Sequence, residues 1–194
     1  MGYLRLTGGC WRGRKIFTPP GAHVRPMQDF LRKAIFDILR GEEKGAMIAD
    51  IFAGSGSIGL EALSRGARGA VFVEKNHRVR EVLRKNIALC GIEDKSIIWG
   101  IDFFKIKSFH GVSVLPDITF LDPPFAADHH KVLQAMKFHS DIFKRSLVVY
   151  RFPVQYGPYV NEEVLRVHTF RRYGESLLVF GEVENNASSR GIET

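Results

Sequence analysis
Asp122-Pro123-Pro124-Phe125 follows the apolar run ITFL, and Gly54, Gly56 and Gly59 follow the apolar run MIADIF. An acid, two prolines and an aromatic make a particular kind of turn. Proline fixes φ and donates no backbone N–H, so the turn is stiff and its carbonyls are free to accept hydrogen bonds. Phe125 offers a flat face to a base taken out of its stack. The glycines stand in G-x-G-x-x-G register between an expected strand and an expected helix, and Glu74 lies twenty residues beyond Gly54 at the end of the next apolar run. Such glycines let backbone approach a ligand at a helix N-terminus, and the acid can accept from ribose hydroxyls. The plainer alternatives are a glycine turn needed only for helix-on-strand packing and a proline-rich strand terminator.

Asp50, at the carboxyl end of the first apolar run, bears on the choice of ligand. A carboxylate there repels a pyrophosphate and attracts an ammonium or sulfonium, so a cationic cofactor is favoured over NAD. The Asp50-Ile51-Phe52-Ala53-Gly54-Ser55-Gly56 stretch resembles the first motif of class I S-adenosylmethionine-dependent methyltransferases. That resemblance implies S-adenosyl-L-methionine as cofactor, with Asp50 near its methionine moiety and Glu74 on its ribose. It also implies Asp102 at the adenine amino group, with Phe103 beside it. The cofactor-binding set is then Asp50, Phe52, Ala53, Gly54, Ser55, Gly56, Gly59, Glu74, Lys75, Asp102 and Phe103.

In an open parallel sheet, ligands gather at the carboxyl ends of the strands where the strand order reverses, so the glycine loop and the DPPF turn share one crevice. An exocyclic amine on a base is a poor nucleophile because its lone pair is delocalised into the ring. The Asp122 carboxylate and the Pro123 carbonyl can accept its two N–H bonds and accommodate the charge that develops on nitrogen. Asp122, Pro123, Pro124 and Phe125 are the candidate catalytic residues.

The elements that must position these groups read as alternating strands and helices. Strands are predicted at Met47–Phe52, Ala70–Glu74, Ile97–Trp99, Ile118–Leu121 and Leu147–Arg151. Helices are predicted at Ser57–Arg65, His77–Cys90 and Asp128–Phe138, with a helical turn near Phe103–Ile106. Apolar strands joined by helices argue for a parallel sheet covered on both faces. Upstream, Phe30, Leu31, Ala34, Ile35, Ile38 and Leu39 form one apolar stripe of a helix ending at Gly41. Tyr3–Thr7 and Arg14–Phe17 read as a small basic N-terminal β-hairpin. Val164–Phe170 and Ser176–Gly181, split by Arg171-Arg172-Tyr173-Gly174, read as a C-terminal antiparallel hairpin. The expected fold is thus α/β and Rossmann-like: a seven-stranded, mostly parallel sheet with that terminal hairpin. Its expected division is a hairpin at 1–20, a catalytic domain at 21–184 and a polar, disordered tail at 185–194.

At 194 residues, with 45% hydrophobic and 25% charged, the chain suits one well-buried core. No apolar run approaches the roughly 18 residues that a membrane span needs. The N-terminus lacks an apolar stretch followed by a small-residue cleavage site, and Leu6 stands where myristoylation wants Ser or Thr. A cytoplasmic protein with no membrane partner is expected, and Cys10 and Cys90 fit reduced thiols. No metal site is readable. Residues 1–40 hold eight basic residues against two acids, six of the seven net positive charges of the chain. Arg5, Trp11, Arg12, Arg14, Lys15 and Arg25 mix cations with an aromatic, as nucleic-acid contacts do; the alternative is a solvated basic face.

Taken together, LTGGCWRGRKI, VRP followed by LRKAIFDIL, DIFAGSGSIGLEALSRGA, FVEKN, DPPF and RRYGES resemble the RsmD family over nearly the whole chain. That family consists of methyltransferases that modify the N2 amino group of a guanine in bacterial 16S ribosomal RNA. The resemblance implies that activity, with the guanine held by Asp122 to Phe125 and RNA contacted by the N-terminal arginines. It further implies 16S ribosomal RNA or an assembling small subunit as partner, met by a monomer. The chain departs from the common family pattern at Met27, at Lys33, and at Tyr150-Arg151, where an acid is frequent. Two other functions stay open: a DNA adenine-N6 or cytosine-N4 methyltransferase, and a catalytically idle RNA-binding or ribosome-assembly module.

Overall fold
Short apolar runs separated by amphipathic helices build one central sheet. The computed structural model of the chain describes residues 2–20, 26–106, 115–156 and 164–184. Arg25 and residues 185–194, the expected tail, lie outside the described residues. Five parallel-paired strands form the heart of the sheet: β3 (Met47–Ile51), β4 (Gly69–Val73), β5 (Ser96–Trp99), β6 (Ile118–Leu121) and β7 (Leu147–Pro153). The hairpin β8 (Leu165–Tyr173) and β9 (Ser176–Val183) adds two more, with β9 antiparallel to both β7 and β8. The resulting order is β5-β4-β3-β6-β7-β9-β8. Strand succession reverses between β3 and β6, so the crevice beyond their carboxyl ends is where this architecture places ligands.

Burial on both faces explains why β4 and β6 read as continuous apolar runs: every residue of each is buried. Ile48, Phe72 and Phe120 point to one side, together with α1 (Pro26–Leu39), α2 (Ser57–Ser64) and α3 (His77–Cys90). Ala49, Val71 and Leu121 point to the other, with α4 (His129–Phe138) and α5 (Ser140–Phe143). Asn76 caps α3 by accepting from Arg78 N and Val79 N, and Asp128 caps α4 by accepting from Lys131 N. Among the described residues, no helix is long and apolar enough to cross a membrane.

β1 (Gly2–Arg5) and β2 (Lys15–Thr18) form the basic antiparallel hairpin expected from sequence. Leu4, Leu6 and Ile16 join the same hydrophobic cluster as the first face of the sheet. Asn86 on α3 accepts from Phe17 N and donates to the carbonyls of Phe17 and Ser55, tying the hairpin to the glycine loop.

Two sequence expectations need correction. The buried face of α1 is Leu31, Arg32, Ile35, Phe36 and Leu39, whereas Phe30 is 55% exposed and lies edge-on to Tyr173. Arg32 is inside because buried Glu61 lies beside it, so charge pairing turned the helix away from its most apolar stripe. Arg171, Arg172 and Tyr173 lie within β8, and the turn is Gly174-Glu175 alone. β8 is an edge strand with exposed side chains, so its basic composition imitates a loop.

Candidate active site
The loop after β3 is held by a small set of bonds. Gly56 and Gly54 both take positive φ, 81° and 56°. A Cβ on Gly56 would come within 2.4 Å of Leu83, and one on Gly59 within 2.4 Å of Phe72. Gly56 therefore serves close approach of α3, and Gly59 close packing of α2 on the sheet. Gly54 is different: a Cβ there would meet nothing nearer than 3.9 Å, so its backbone faces open space. Phe52 also has positive φ, 64°, an unfavourable state for an aromatic residue that its surroundings must impose. Its ring packs against Phe103 and Phe104, and the neighbouring Ala53 N donates to Val73 O.

α2 begins at Gly56 without a side-chain cap. Asp50 supplies the missing acceptor from inside the sheet, taking the Gly59 N–H at 2.9 Å. Burial pushes the Asp50 carboxyl up to about 8; the Gly59 bond opposes this, and the charges of Asp122 and Glu74 add to it. Glu74, just past β4, accepts from Gly54 N at 3.1 Å and from Asn76 N at 2.8 Å. Asp102 caps the turn Phe103–Lys105 by accepting from Phe104 N, and its other oxygen pairs with Lys75 at 3.3 Å.

Across the crevice, Asp122 leaves β6 with its N–H directed to Ile51 O. Ala127 N donates to the Pro124 carbonyl at 2.8 Å, which closes the turn. The Pro123 carbonyl is left without a donor among the described residues. Phe125 is 46% exposed. Arg151 on β7 donates from Nε to Asp122 Oδ1, and its guanidinium lies over the Phe125 ring, 4.8 Å from the centroid. Burial pushes the Asp122 carboxyl up, and the Arg151 charge and hydrogen bond pull it back down.

Between the two sides lies a cavity of about 310 Å³. Phe52, Ala53, Gly54 and Ser55 line it from the glycine loop, Asp122 and Arg151 from the far side, and Leu31, Arg32 and Ile35 from α1. Of the sequence-predicted residues, Phe52, Ala53, Gly54, Ser55 and Asp122 meet in this one space. Asp50, Gly56, Gly59, Glu74, Lys75, Asp102 and Phe103 are outside its lining, and so are Pro123, Pro124 and Phe125 of the DPPF turn.

Two residues near the crevice, Phe104 and Glu61, were not singled out from sequence. Phe103 is buried against Phe52 and Phe143, whereas Phe104 is 42% exposed and is the aromatic face open beside Asp102. Glu61 is wholly buried and accepts from Thr7 N, Thr7 Oγ1 and Arg65 Nε, fastening the N-terminal segment to α2. A buried acid in a helix next to arginines was the available signal for it. The basic residues Arg5, Arg12, Arg14 and Lys15 are exposed on the hairpin and its connecting loop, with half-buried Trp11 among them. Arg14 lies 5.8 Å from the Trp11 ring and donates to Leu89 O.

The family model described as conserved hypothetical protein 95, the RsmD family, matches residues 4–182. The chain belongs to this family. Among curated relatives of this RsmD-family chain, ribosomal RNA small subunit methyltransferase D of Escherichia coli K12 is 38% identical over 125 residues. That match covers 64% of this chain and 61% of the relative's length. The solved structure titled putative methyltransferase yhhF from Escherichia coli superposes with a TM-score of 0.74 at 27% identity, covering 94% of this chain and 99% of the other. A hypothetical protein of Thermus thermophilus gives 0.73 at 28% identity, covering 93% and 99%.

Proposed function
We propose that this chain methylates the exocyclic N2 amino group of a guanine in small-subunit ribosomal RNA, with S-adenosyl-L-methionine as donor. The observation that carries this reading is the cavity in which the glycine loop and Asp122 face one another. The residues fit a cationic nucleoside cofactor. Asp50, Glu74 and Asp122 come from the carboxyl ends of three adjacent strands, and the charges of Asp122 and Glu74 both act on Asp50. The open backbone at Gly54 and the carboxylate of Glu74 would hold the nucleoside side, and the exposed Phe104 with Asp102 would flank the adenine. When bound, S-adenosyl-L-methionine supplies a methyl group on a positively charged sulfur.

The chain's own residues do the rest. Phe125 stacks the extruded base, and Asp122 with the Pro123 carbonyl accepts from its amine. Both acceptors are fixed before the base arrives, so no reorganisation opposes the charge that develops on nitrogen. Burial makes Asp122 more avid for a proton, which suits it to take the one that the methylated amine releases. The exposed arginines of the N-terminal hairpin, fastened to the glycine loop through Asn86, support phosphate contacts close to the site. The names of the curated relatives favour ribosomal RNA over DNA.

The test is transfer of labelled methyl from S-adenosyl-L-methionine to small-subunit particles, naked ribosomal RNA and DNA, followed by nucleoside analysis. N2-methylguanosine in small-subunit RNA is the expected product. Label on DNA alone, or on no substrate, would overturn the reading.

A further inference from the structure
The basic residues of the edge strand β8 have different partners at its two ends. Near its start, Arg166 pairs with Glu182 at 2.7 Å and approaches Glu184, and His168 stands 3.8 Å from Glu182. Near its end, Arg171 donates to Thr169 Oγ1 and the Phe170 carbonyl, and Arg172 to the Gly174 carbonyl. Both are exposed, and among the described residues neither meets a carboxylate. Charges on an edge strand guard against the addition of a further strand. That role asks for charge along the whole strand, and it is poorly served by a ring as exposed as Phe170, at 60%.

The end that keeps its charge free is the one nearest the crevice. β7 and β8 are both antiparallel to β9, so they run the same way, and Arg151, Leu178 and Arg171 stand opposite one another across the three strands. Opposed residues share a face, so Arg171 points to the side on which Arg151 and Leu178 line the cavity. Two strand spacings, about 10 Å, separate its backbone from that of Arg151. Arg172, next along the strand, points to the other side of the edge. Leu31, Arg32 and Ile35 of α1 line the cavity, whereas Phe30, Lys33 and Ala34 line a second groove together with Arg171 and Tyr173. The acids of that groove, Asp37 and Glu42, are matched in number by Lys33 and Arg40, which leaves Arg171 as its uncompensated charge. The Phe30 ring is held edge-on by Tyr173, with centroids 5.5 Å apart, and stays 55% exposed. Free cations beside rings with open faces suit a single-stranded nucleic acid, which offers phosphates and unstacked bases together.

We propose that the end of β8 and Phe30 form a second RNA contact: Arg171 and Arg172 hold phosphates of the strand leaving the acceptor side of the crevice, and Phe30 stacks an unpaired base. This rests on the reading of the chain as an RNA methyltransferase. The N-terminal hairpin segment is fastened to α2 and α3 through Ser64 and Asn86, whereas β8 is the far edge of the sheet, beyond β7 and β9. Cations on both flanks hold the RNA on either side of the base presented to the crevice.

The experiment measures binding of the full chain to naked small-subunit ribosomal RNA as a function of salt concentration. Arg171→Ala combined with Arg172→Ala should lower the slope of log affinity against log salt by roughly 1.4, the loss of two phosphate contacts to a single strand. Arg171→Lys combined with Arg172→Lys keeps both charges and should keep the slope. Arg166→Ala, on the same strand but already paired, should change it least. Phe30→Ala should weaken binding by roughly 5- to 150-fold at an unchanged slope, the scale of one stacked base. Arg171→Gln combined with Arg172→Gln carries the same expectation should the alanine pair fail to fold, and affinity for S-adenosyl-L-methionine should be the same in every variant. An unchanged slope in a folded double variant, an equal fall in Arg166→Ala, or unchanged affinity in Phe30→Ala overturns the proposal alone. A defect seen with assembled particles and absent with naked RNA assigns the surface to a protein and overturns it too. Wild-type chain that binds no ribosomal RNA overturns both the proposal and the function on which it rests.

Discussion
On the side of the crevice built by β3 and β4, the carboxylates are tied to backbone. Asp50 holds Gly59 N, and Glu74 holds Gly54 N and Asn76 N. On the side built by β6 and β7, Asp122 is held by a side chain, Arg151, which also covers the aromatic. Backbone tethers fix a shape, whereas a side-chain partner can be exchanged for another. Both halves are thus in place before any ligand arrives, the first held through main chain and the second through a side chain that also covers the aromatic. Under the proposed function, the first half would hold the cofactor and the second the base.

The largest break in this comparison should come from Asp122→Ala. Transfer should fall by about 10²- to 10³-fold or more, the scale of losing a preorganised charge-stabilising group. Affinity for S-adenosyl-L-methionine by calorimetry should stay within a few-fold, because the tethers of the glycine loop are untouched. Equal loss of both would make Asp122 a structural residue of the whole crevice. The converse break is Gly59→Ala, whose new methyl would sit 2.4 Å from the Phe72 ring and 3.1 Å from Asp50 Oδ2. Overpacking of this kind costs about 1–3 kcal/mol of stability. Chemical denaturation should show that loss together with weaker cofactor binding, and the turnover of cofactor-saturated enzyme should change least. A fully stable variant would mean that α2 is not pressed against the sheet at Gly59.

The tethered half was the more legible in sequence. Glycine register, a strand before it and an acid at the next strand's end are local patterns, and each finds its place within β3, β4 and α2. What sequence could not separate was which glycine faces the cavity and which meets a neighbouring helix or ring. Gly54 and Gly56 differ only in what lies beyond them, and Leu83 and Phe72 come from other elements. Phe103 and Phe104 pose the same problem, since a single short turn decides which ring goes inside. The exchangeable half was legible as a motif but not as a contact. Arg151 stood out as a departure from the family pattern, yet its partner lies 29 residues away, and only the parallel pairing of β6 with β7 brings the two together. Buried Glu61 was missed for a related reason: Arg65 is local to it, but its partners Thr7 and Arg32 come from distant segments.

The smallest expected effect tests how far the two halves share one electrostatic field. Asp50 is tethered on the cofactor side, yet Asp122 across the crevice is among the charges that raise it. With its carboxyl at about 8, Asp50 is largely protonated at neutral pH. A raised acid favours the folded state at low pH. Its contribution is complete below the unfolded value of about 3.9 and is lost as pH climbs through about 8. A cation brought near Asp50 reverses that preference and expels the proton. Binding of S-adenosyl-L-methionine at neutral pH should therefore release up to about one proton and strengthen with pH by at most about tenfold per unit. S-adenosylhomocysteine keeps the ammonium but has an uncharged sulfur, and should release less. Calorimetry in two buffers of different ionisation heat reads this directly. Asp50→Asn keeps an acceptor for the Gly59 N–H, and it should erase both the proton release and the loss of stability toward alkaline pH. Equal proton release for both ligands would place the responding group away from the sulfur and would separate the fields of the two halves.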